Sequence, residues 1–209
     1  MFITLEGPEG SGKTSQIPSL AAFLEDLGYN VITTREPGGT PISDQIREVL
    51  MSMKNQDLHP RTEILLFLAA RAQLVEQVLK PALHDGKMVL CDRYADSTLA
   101  YQGYGHGFEL SVLRKMLDFA TDSLKPDLTL FLDLDVESGL ARKKNISEWN
   151  RLDAYEVAFH KRVRAGYHHL IEEEPWRWVV IDATQEKETV QAAMRKAILV
   201  KLEEMKMTP

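Results

Sequence analysis

The chain has 209 residues, and its 25 basic residues stand against 31 acidic ones, which gives a formal net charge of −6. This length suffices for a single domain over residues 1–209, and the acidic balance argues against a general nucleic-acid binder, which usually carries a basic face. Cys91 is the single cysteine, which fits a reducing compartment. The longest apolar run (residues 64–70) is too short for a membrane span, and the first residues do not resemble a signal peptide. We therefore expect a cytoplasmic protein without a membrane partner.

Short apolar runs alternate with amphipathic segments from end to end. In chain order, the pattern predicts strand 1–5, helix 16–27, strand 31–33, helix 43–53, helix 62–79, strand 88–91, helix 110–120, strand 128–132, helix 136–143, helix 153–171, strand 178–181 and helix 188–205. Strands that alternate with helices predict right-handed β-α-β units, and therefore an α/β fold with a parallel sheet covered on both faces.

The stretch GPEGSGKT at residues 7–14 fits the phosphate-loop pattern G-x-x-x-x-G-K-[ST] and lies between a predicted strand and a predicted helix. A chance glycine turn is the alternative. In a phosphate loop, backbone N–H groups and the helix N-terminus surround phosphate oxygens. We expect Lys13 to reach the β- and γ-phosphates of a nucleotide and the Thr14 hydroxyl to ligate Mg²⁺. The predicted nucleotide-binding residues of this loop are Gly7, Glu9, Gly10, Ser11, Gly12, Lys13 and Thr14.

An aspartate follows each of three predicted strands, at Asp92, Asp133 and Asp182. Parallel sheets bind ligands at the carboxyl ends of their strands. Asp92 is predicted to be the metal carboxylate of a P-loop protein, although a strand that merely ends in a turn would look the same. Arg93 comes directly after it and places a cation beside that carboxylate, which suits a second anionic ligand.

The predicted helix 62–79 carries Phe67 and Arg71 one turn apart on one face. One interpretation is a pocket wall, with an aromatic plane that stacks on a base and a guanidinium that hydrogen-bonds its edge. The other is an arginine whose stem is buried while its head pairs with a carboxylate such as Glu76.

Two polar connections have two interpretations each, and three histidines lie along one predicted helix. The cation-rich segment 142–151 is either a lid that closes over phosphates or a solvated charged surface. The loop at 35–39, Arg-Glu-Pro-Gly-Gly, either aims polar groups into the cleft or is an ordinary turn. His160, His168 and His169 have no Cys or acidic cluster at ligand spacing, so we expect surface residues, not a zinc site.

Six segments in their expected order resemble the thymidylate kinase family: GPEGSGKT, TREPGGT at 34–40, FLAARAQLVE at 67–76, DRYADSTLAYQG at 92–103, PDLTLFLDL at 126–134 and IDAT at 181–184. The resemblance covers nearly the whole chain. It implies the three-layer P-loop nucleoside-monophosphate-kinase fold, with a five-stranded parallel sheet in the order 2-3-1-4-5. It also implies transfer of the γ-phosphoryl group of ATP to dTMP with Mg²⁺, by a cytoplasmic homodimer.

The resemblance further implies roles for the matching positions. Lys13 and Thr14 would serve ATP and Mg²⁺, with Asp92 near the metal and Ala183 beside the adenine. The implied dTMP site comprises Glu9, Arg35, Pro37, Arg47, Phe67, Arg71, Arg93, Thr98, Tyr101 and Gln102. Within it, Arg93 would hold the phosphate together with Arg35 or Arg47. Phe67 would stack on thymine, Arg71 would hydrogen-bond the edge of the base, and Tyr101 would lie against the deoxyribose.

The phosphate loop holds no arginine, which resembles the bacterial branch of the family, where the lid supplies the cations for catalysis. Arg142, Lys144 and Arg151 are the candidates, acting beside Lys13 and Arg93. The register Arg142, Lys144, Ile146 departs from the alternating arginines of similar bacterial members, and lysine lacks the guanidinium fork. Another P-loop kinase and a P-loop regulatory switch are the alternative functions.

Overall fold

The structure, a computed structural model, describes residues 1–144 and 149–207. Its sheet has five parallel strands in the order β2-β3-β1-β4-β5, which confirms the predicted fold and strand order. The strands are β1 (Phe2–Glu6), β2 (Val31–Arg35), β3 (Met88–Asp92), β4 (Leu128–Asp133) and β5 (Trp178–Asp182). Each agrees with a predicted strand to within two residues at either end.

The helices of the described residues are α1 (Lys13–Asp26), α2 (Pro41–Met51), α3 (Pro60–Leu74), α4 (Lys80–His84), α5 (Ala95–Thr98), α6 (Leu110–Thr121), α7 (Val136–Lys144), α8 (Val157–Glu173) and α9 (Lys187–Met207). A π-helical turn (Val75–Leu79) joins α3 to α4, and a second one (Leu99–Gly105) continues α5. A 3₁₀ turn (Pro175–Arg177) precedes β5. None of the described helices is long and apolar enough to cross a membrane.

Apolar side chains cover both faces of the sheet and give the three layers. On one face, α1 and α9 pack on β1, β3 and β4 through residues such as Leu20 and Met194. On the other face, Phe131 of β4 packs among side chains of α3, α6 and α8. The central strand β1 is therefore buried along its whole length, as the apolar start of the sequence predicts.

The sequence pattern missed the helix that starts at Ala95 and runs through the π-helical turn to Gly105. Its residues are buried on nearly all sides, so the segment has no amphipathic period to detect. The predicted helix 153–171 begins only at Val157, because the Asp153 carboxylate accepts hydrogen bonds from both the backbone N–H and the side-chain amide of Asn150 and holds a turn there.

One of the three histidines is not the surface residue that we expected. His160 is only 4% exposed and packs its ring against Phe159 in α8, whereas His168 and His169 keep much of their side chains in solvent. The apolar spacing of α8 turns the His160 position inward. Among the described residues, no group of three or more His, Cys, Asp or Glu side chains is placed to hold a metal ion.

Candidate active site

The register of the sheet brings three chain segments to one edge. Leu5 pairs with Asp92, and Asp92 pairs with Arg35, so the loops that follow β1, β2 and β3 begin side by side. A cavity of about 440 Å³ opens there. The predicted site residues that line it are Glu9, Gly10, Gly12, Lys13, Thr14, Arg35, Pro37, Arg47, Phe67, Arg71, Asp92, Arg93, Thr98, Tyr101 and Gln102.

The phosphate loop wraps around the start of α1. Gly12 is the N-cap residue with φ of 91°, a left-handed conformation that glycine adopts without strain, and the first turn of α1 holds no acidic residue. Its free N–H groups and helix dipole therefore favour an anion. Gly7 and Ser11 do not line the cavity but lie behind it, where Ser11 Oγ and the Gly7 carbonyl accept hydrogen bonds from Lys13 Nζ at 3.1 and 3.0 Å.

Lys13 is buried against its own loop, and its ammonium group also donates to the Pro8 carbonyl at 2.8 Å. Burial, followed by repulsion from Arg93, lowers the pKa of Lys13 to about 8, although Glu9 and Asp92 oppose this shift. The group is thus a cation near neutral pH that is held by neutral carbonyls, so a phosphate would be a better partner for it.

Thr14 and Asp92 form the oxygen pair that a magnesium site requires. The Thr14 hydroxyl donates to Asp92 Oδ2, and the Asp92 side chain is nearly buried at the end of β3. Mg²⁺ commonly takes one or two protein oxygens and completes its shell with waters and substrate phosphates. One carboxylate beside one hydroxyl at the mouth of a phosphate loop fits this ion.

Arg93 stands in the left-handed region of backbone conformation, with φ of 67°. This geometry is uncommon for a residue with a side chain and is typical of functional sites. Its Nη1 donates to the Gly7 carbonyl at 3.1 Å, and its Nη2 donates to Glu9 Oε1 at 2.7 Å. The arginine therefore connects the end of β3 with the phosphate loop.

Glu9, the one acid of the phosphate loop, faces Arg93 and Tyr101 inside the cleft. The Tyr101 hydroxyl donates to Glu9 Oε1 at 2.8 Å. Burial alone would raise the pKa of Glu9, but Arg93, Lys13 and the Tyr101 hydrogen bond outweigh it and hold the pKa at about 2. Glu9 is consequently an ionised acceptor near neutral pH.

Phe67 and Arg71 both line the cavity. The guanidinium of Arg71 is 1% exposed and donates to Glu36 Oε2 at 2.6 Å and to Thr98 Oγ1 at 3.0 Å. The alternative partner Glu76 is wrong, because its carboxylate pairs with Lys80 on the outside of the helix. A half-buried aromatic ring and a fixed guanidinium thus form the predicted pocket wall.

Glu36 begins the loop after β2, and two arginines of different character flank this loop: Arg35 ends β2, and Arg47 belongs to α2. Burial raises the pKa of Glu36 to about 7, although Arg71 lowers it. Arg47 Nη1 donates to the Pro37 carbonyl at 2.9 Å and fixes the loop against α2. Arg35 is largely exposed at the cavity rim, 4.0 Å from Asp44, so its head has room to turn toward an anion.

The predicted lid is described only at its two ends, and Ile146 lies outside the described residues. Arg142 Nη1 donates to the Ala183 carbonyl at 3.1 Å, and the Lys144 ammonium lies 5.8 Å from the centre of the Trp149 ring. Neither side chain lines the cavity; Lys143, which sequence reasoning did not single out, does. It lies one helical turn beyond Gly139, which packs on the phosphate loop, and that contact is what turns this helix face inward.

Arg151 does not line the cavity. It is 4% exposed, its Nη2 pairs with the buried Glu63 carboxylate, and its Nε donates to the Leu50 carbonyl at 2.9 Å. The Tyr155 hydroxyl accepts from its remaining nitrogen, Nη1, at 2.9 Å. The arginine thus anchors the end of the lid to α2 and α3, and its contact with phosphate stays a prediction.

Behind Arg93 lies Glu6, a fully buried carboxylate that sequence reasoning also passed over. It accepts hydrogen bonds from the Tyr94 N–H at 2.8 Å, from Ser97 Oγ at 2.6 Å and from the Tyr167 hydroxyl at 2.7 Å. An acid as the last residue of a buried strand was the only signal in the sequence.

Known proteins place this arrangement in a family. The family described as thymidylate kinase matches residues 5–194. Thymidylate kinase of Thermomicrobium roseum is 53% identical over 194 residues, which cover 92% of this chain and 91% of the relative. That of Herpetosiphon aurantiacus is 48% identical over 223 residues, with 95% and 94% coverage. The crystal structure of thymidylate kinase from Ehrlichia chaffeensis superposes with a TM-score of 0.80 at 35% identity and covers 95% of this chain and 98% of that one. The chain therefore belongs to the thymidylate kinase family.

Proposed function

We propose that this chain transfers the γ-phosphoryl group of ATP to dTMP, which gives ADP and dTDP, and that the reaction takes place in the cavity between the phosphate loop and α3. The triphosphate would lie in the loop against Lys13 and the start of α1, with adenine beside Ala183. The dTMP base would lie between Phe67 and Arg71. One observation carries this assignment: a single cavity holds the phosphate-loop lysine, the Arg93 cation and the aromatic–arginine pair.

The chemistry asks for alignment and charge stabilisation more than for proton transfer. The dTMP phosphate is already largely ionised at neutral pH, so its oxygen attacks the γ-phosphorus in line without a general base. Arg93 and Arg47 hold and orient that phosphate, and Lys13 stabilises charge on the transferred group. When bound, Mg²⁺ would lie at Thr14 and Asp92 and would neutralise the phosphate oxygens.

The sugar of dTMP is assigned to Glu9 and Tyr101. Both residues line the cavity, and the Tyr101 hydroxyl donates a hydrogen bond to Glu9. An ionised Glu9 accepts a hydrogen bond from a 3′-hydroxyl, and the Tyr101 ring lies against the deoxyribose, where a 2′-hydroxyl would clash.

An ADP-release assay with dTMP, dUMP, dCMP, dGMP and thymidine as acceptors tests the proposal. We expect a clear preference for dTMP and no reaction with thymidine, because the cleft holds arginines for an acceptor phosphate and needs no base to deprotonate a hydroxyl. Preference for another acceptor would point to a different P-loop kinase. Hydrolysis of ATP that dTMP does not change, without dTDP, would point to a regulatory switch.

We further propose that the chain is a homodimer in the cytoplasm. Three helices that pack side by side, α2, α3 and α6, leave apolar side chains in solvent; the largest exposures are Phe119 at 91%, Leu65 at 58% and Ile42 at 52%. A second copy would cover such a surface. The free, buried Cys91 suits a reducing compartment. Light scattering after size exclusion should give twice the chain mass, and Leu65→Glu should shift it toward a monomer.

A further inference from the structure

Glu63, in the first turn of α3, is a fully buried carboxylate with several donors around it. Gln102 Nε2 donates to its Oε1 at 2.7 Å. Its Oε2 receives Arg151 Nη2 and, at 3.2 Å, the Tyr155 hydroxyl. The Glu63 carboxylate thus connects Arg151, which anchors the end of the lid, to Gln102, which lines the cavity.

The charge of Glu63 fixes which end of the Gln102 amide points toward it. Burial would raise the pKa of Glu63, but His106, whose Nε2 lies 3.6 Å from Oε1, and the Arg151 and Gln102 donors lower it to about 2. An ionised carboxylate only accepts hydrogen bonds, so Gln102 must turn its NH₂ group to it. Among the described residues, nothing donates to Gln102 Oε1, and Gln102 lines the cavity. The amide therefore offers the cavity an acceptor.

Arg71 offers hydrogen-bond donors where Gln102 offers an acceptor, and a second buried carboxylate is one of its partners. Glu36, Thr98 and the Tyr94 carbonyl take one N–H each from its guanidinium. A guanidinium carries five N–H donors, so one remains on each Nη nitrogen. The base end of the cavity thus combines spare donors on Arg71 with one acceptor on Gln102.

This polarity matches thymine and opposes cytosine. Thymine has a carbonyl acceptor at C4 and an N3–H donor, whereas cytosine has an amino donor at C4 and a bare acceptor at N3. A buried donor that faces a donor loses its hydrogen bond and keeps its desolvation cost.

We propose that Glu63 is a specificity-determining positioning residue: it holds Gln102 with its oxygen toward the base, and so selects an acceptor nucleotide with a protonated N3. The inference rests on the proposed use of this cavity for dTMP. It requires no contact between Glu63 and the nucleotide.

Glu63→Gln is an isosteric test with a defined outcome. The single oxygen of the new amide will turn to the charged Arg151, so its NH₂ faces Gln102 and forces that amide to rotate and present NH₂ to the base. We measure kcat/KM for dTMP and for 5-methyl-dCMP, which differ only at this base edge. The ratio of the two should fall about tenfold or more, as expected for one reversed base contact.

A double-mutant cycle separates this effect from a general loss of structure. Gln102→Met removes the amide but keeps the volume, and in that background Glu63→Gln should leave the substrate ratio unchanged. Arg151→Lys, which alters the other contact of Glu63, should also keep the wild-type ratio. A wild-type ratio in folded Glu63→Gln, or an equal change in the Gln102→Met background, would overturn the proposal. Wild-type protein that forms no dTDP would instead refute the proposed function.

If Glu63→Gln does not fold, side-chain amide NMR of the wild-type protein decides. We expect the Gln102 NH₂ protons to exchange slowly with solvent before dTMP is added and to stay protected afterwards, because the nucleotide uses the oxygen. Protection that first arises when dTMP binds would show that the NH₂ group faces the base and would exclude the proposal.

Discussion

Gly10 of the phosphate loop and Gly139 of α7 bring two backbones into direct contact. A Cβ atom on Gly10 would lie 2.0 Å from the Gly139 carbonyl oxygen, and a Cβ on Gly139 would lie 2.2 Å from the Glu9 carbonyl oxygen. The loop that surrounds phosphate and the helix that leads into the lid are thus set against each other without side chains between them. The absence of a side chain at Gly10 thus permits both this close contact and the turn of the loop.

Gly139→Ala should therefore damage ATP use. Ala suits a helix, so the change acts through the added methyl group, which pushes the loop from α7 at a cost of about 1–3 kcal/mol. We expect kcat/KM for ATP to fall about tenfold to a hundredfold, because small misplacements of reacting groups are costly. Steady-state kinetics and thermal unfolding measure both effects.

Gly28→Ala is the matched control for this change. Gly28 has φ of 88° and no atom within 4 Å of an added Cβ, so the variant should lose stability with unchanged kinetic constants. Equal kinetic constants for Gly139→Ala and the wild-type protein would contradict the role given to the glycine contact.

Glu9→Ala should impair dTMP use and leave ATP binding nearly intact. Arg93 Nη2 and the Tyr101 hydroxyl both lose their shared acceptor, so the groups assigned to the acceptor phosphate and sugar lose their orientation. We expect KM for dTMP to rise about tenfold, the usual size of one charge-assisted hydrogen bond. Glu25→Ala, an exposed change in α1, is the control. Loss of ATP affinity with an unchanged KM for dTMP would refute the assignment.

The fold was predictable because its strands are short apolar runs, three of them followed by an aspartate, and helices fill the intervals. The phosphate loop, Asp92 and the Phe67–Arg71 pair were predictable because their chemistry imposes a residue type and a spacing. Contacts between residues that are far apart in the sequence were not predictable. The pairs Arg71–Glu36 and Arg151–Glu63 join residues 35 and 88 positions apart, and no local pattern marks them.

Lid cations illustrate the same limit. Arg142 and Arg151 are equivalent in a sequence rich in Lys and Arg, but the structure leaves Arg142 on the surface and buries Arg151. Arg151 lies in the turn that Asn150 and Asp153 form before α8, whereas the sequence pattern predicted a helix from residue 153. A charge count therefore could not separate a buried anchor from an exposed cation.

Arg151→Ala and Arg142→Ala should consequently differ in kind. Arg151→Ala leaves the buried Glu63 carboxylate without its ion-pair partner and should lower the free energy of unfolding by about 3 kcal/mol. Arg142→Ala removes one hydrogen bond at the surface and should change stability little, while kcat falls if this residue reaches the phosphates when substrates bind. Urea unfolding and kcat with saturating substrates separate the two effects.

Stability and kcat together can contradict the assignment of Arg151 as an anchor and Arg142 as an exposed cation. An Arg151→Ala variant with wild-type stability and a kcat lower by about 10³ would show that Arg151 acts on the phosphates, since loss of an arginine finger costs about that factor. Near-normal kcat in both variants would move the catalytic charge to another residue; Lys143, which lines the cavity, is then the next to test.

ATP binding should take up a proton near pH 8, because the pKa of Lys13 lies at about 8 in the protein without nucleotide, below its ordinary value of 10.5. Above pH 8 the free protein has mostly lost this proton, and a triphosphate favours the charged form, so binding returns the proton and ATP affinity weakens as the pH rises through 8. Calorimetry at pH 8 with a non-hydrolysable ATP analogue, in buffers of different ionisation enthalpy, measures the uptake as a slope. Lys13→Met should abolish that slope, whereas Lys54→Met, on the surface, should keep it. A wild-type protein whose binding enthalpy is the same in every buffer would show that Lys13 keeps its proton at this pH in both states.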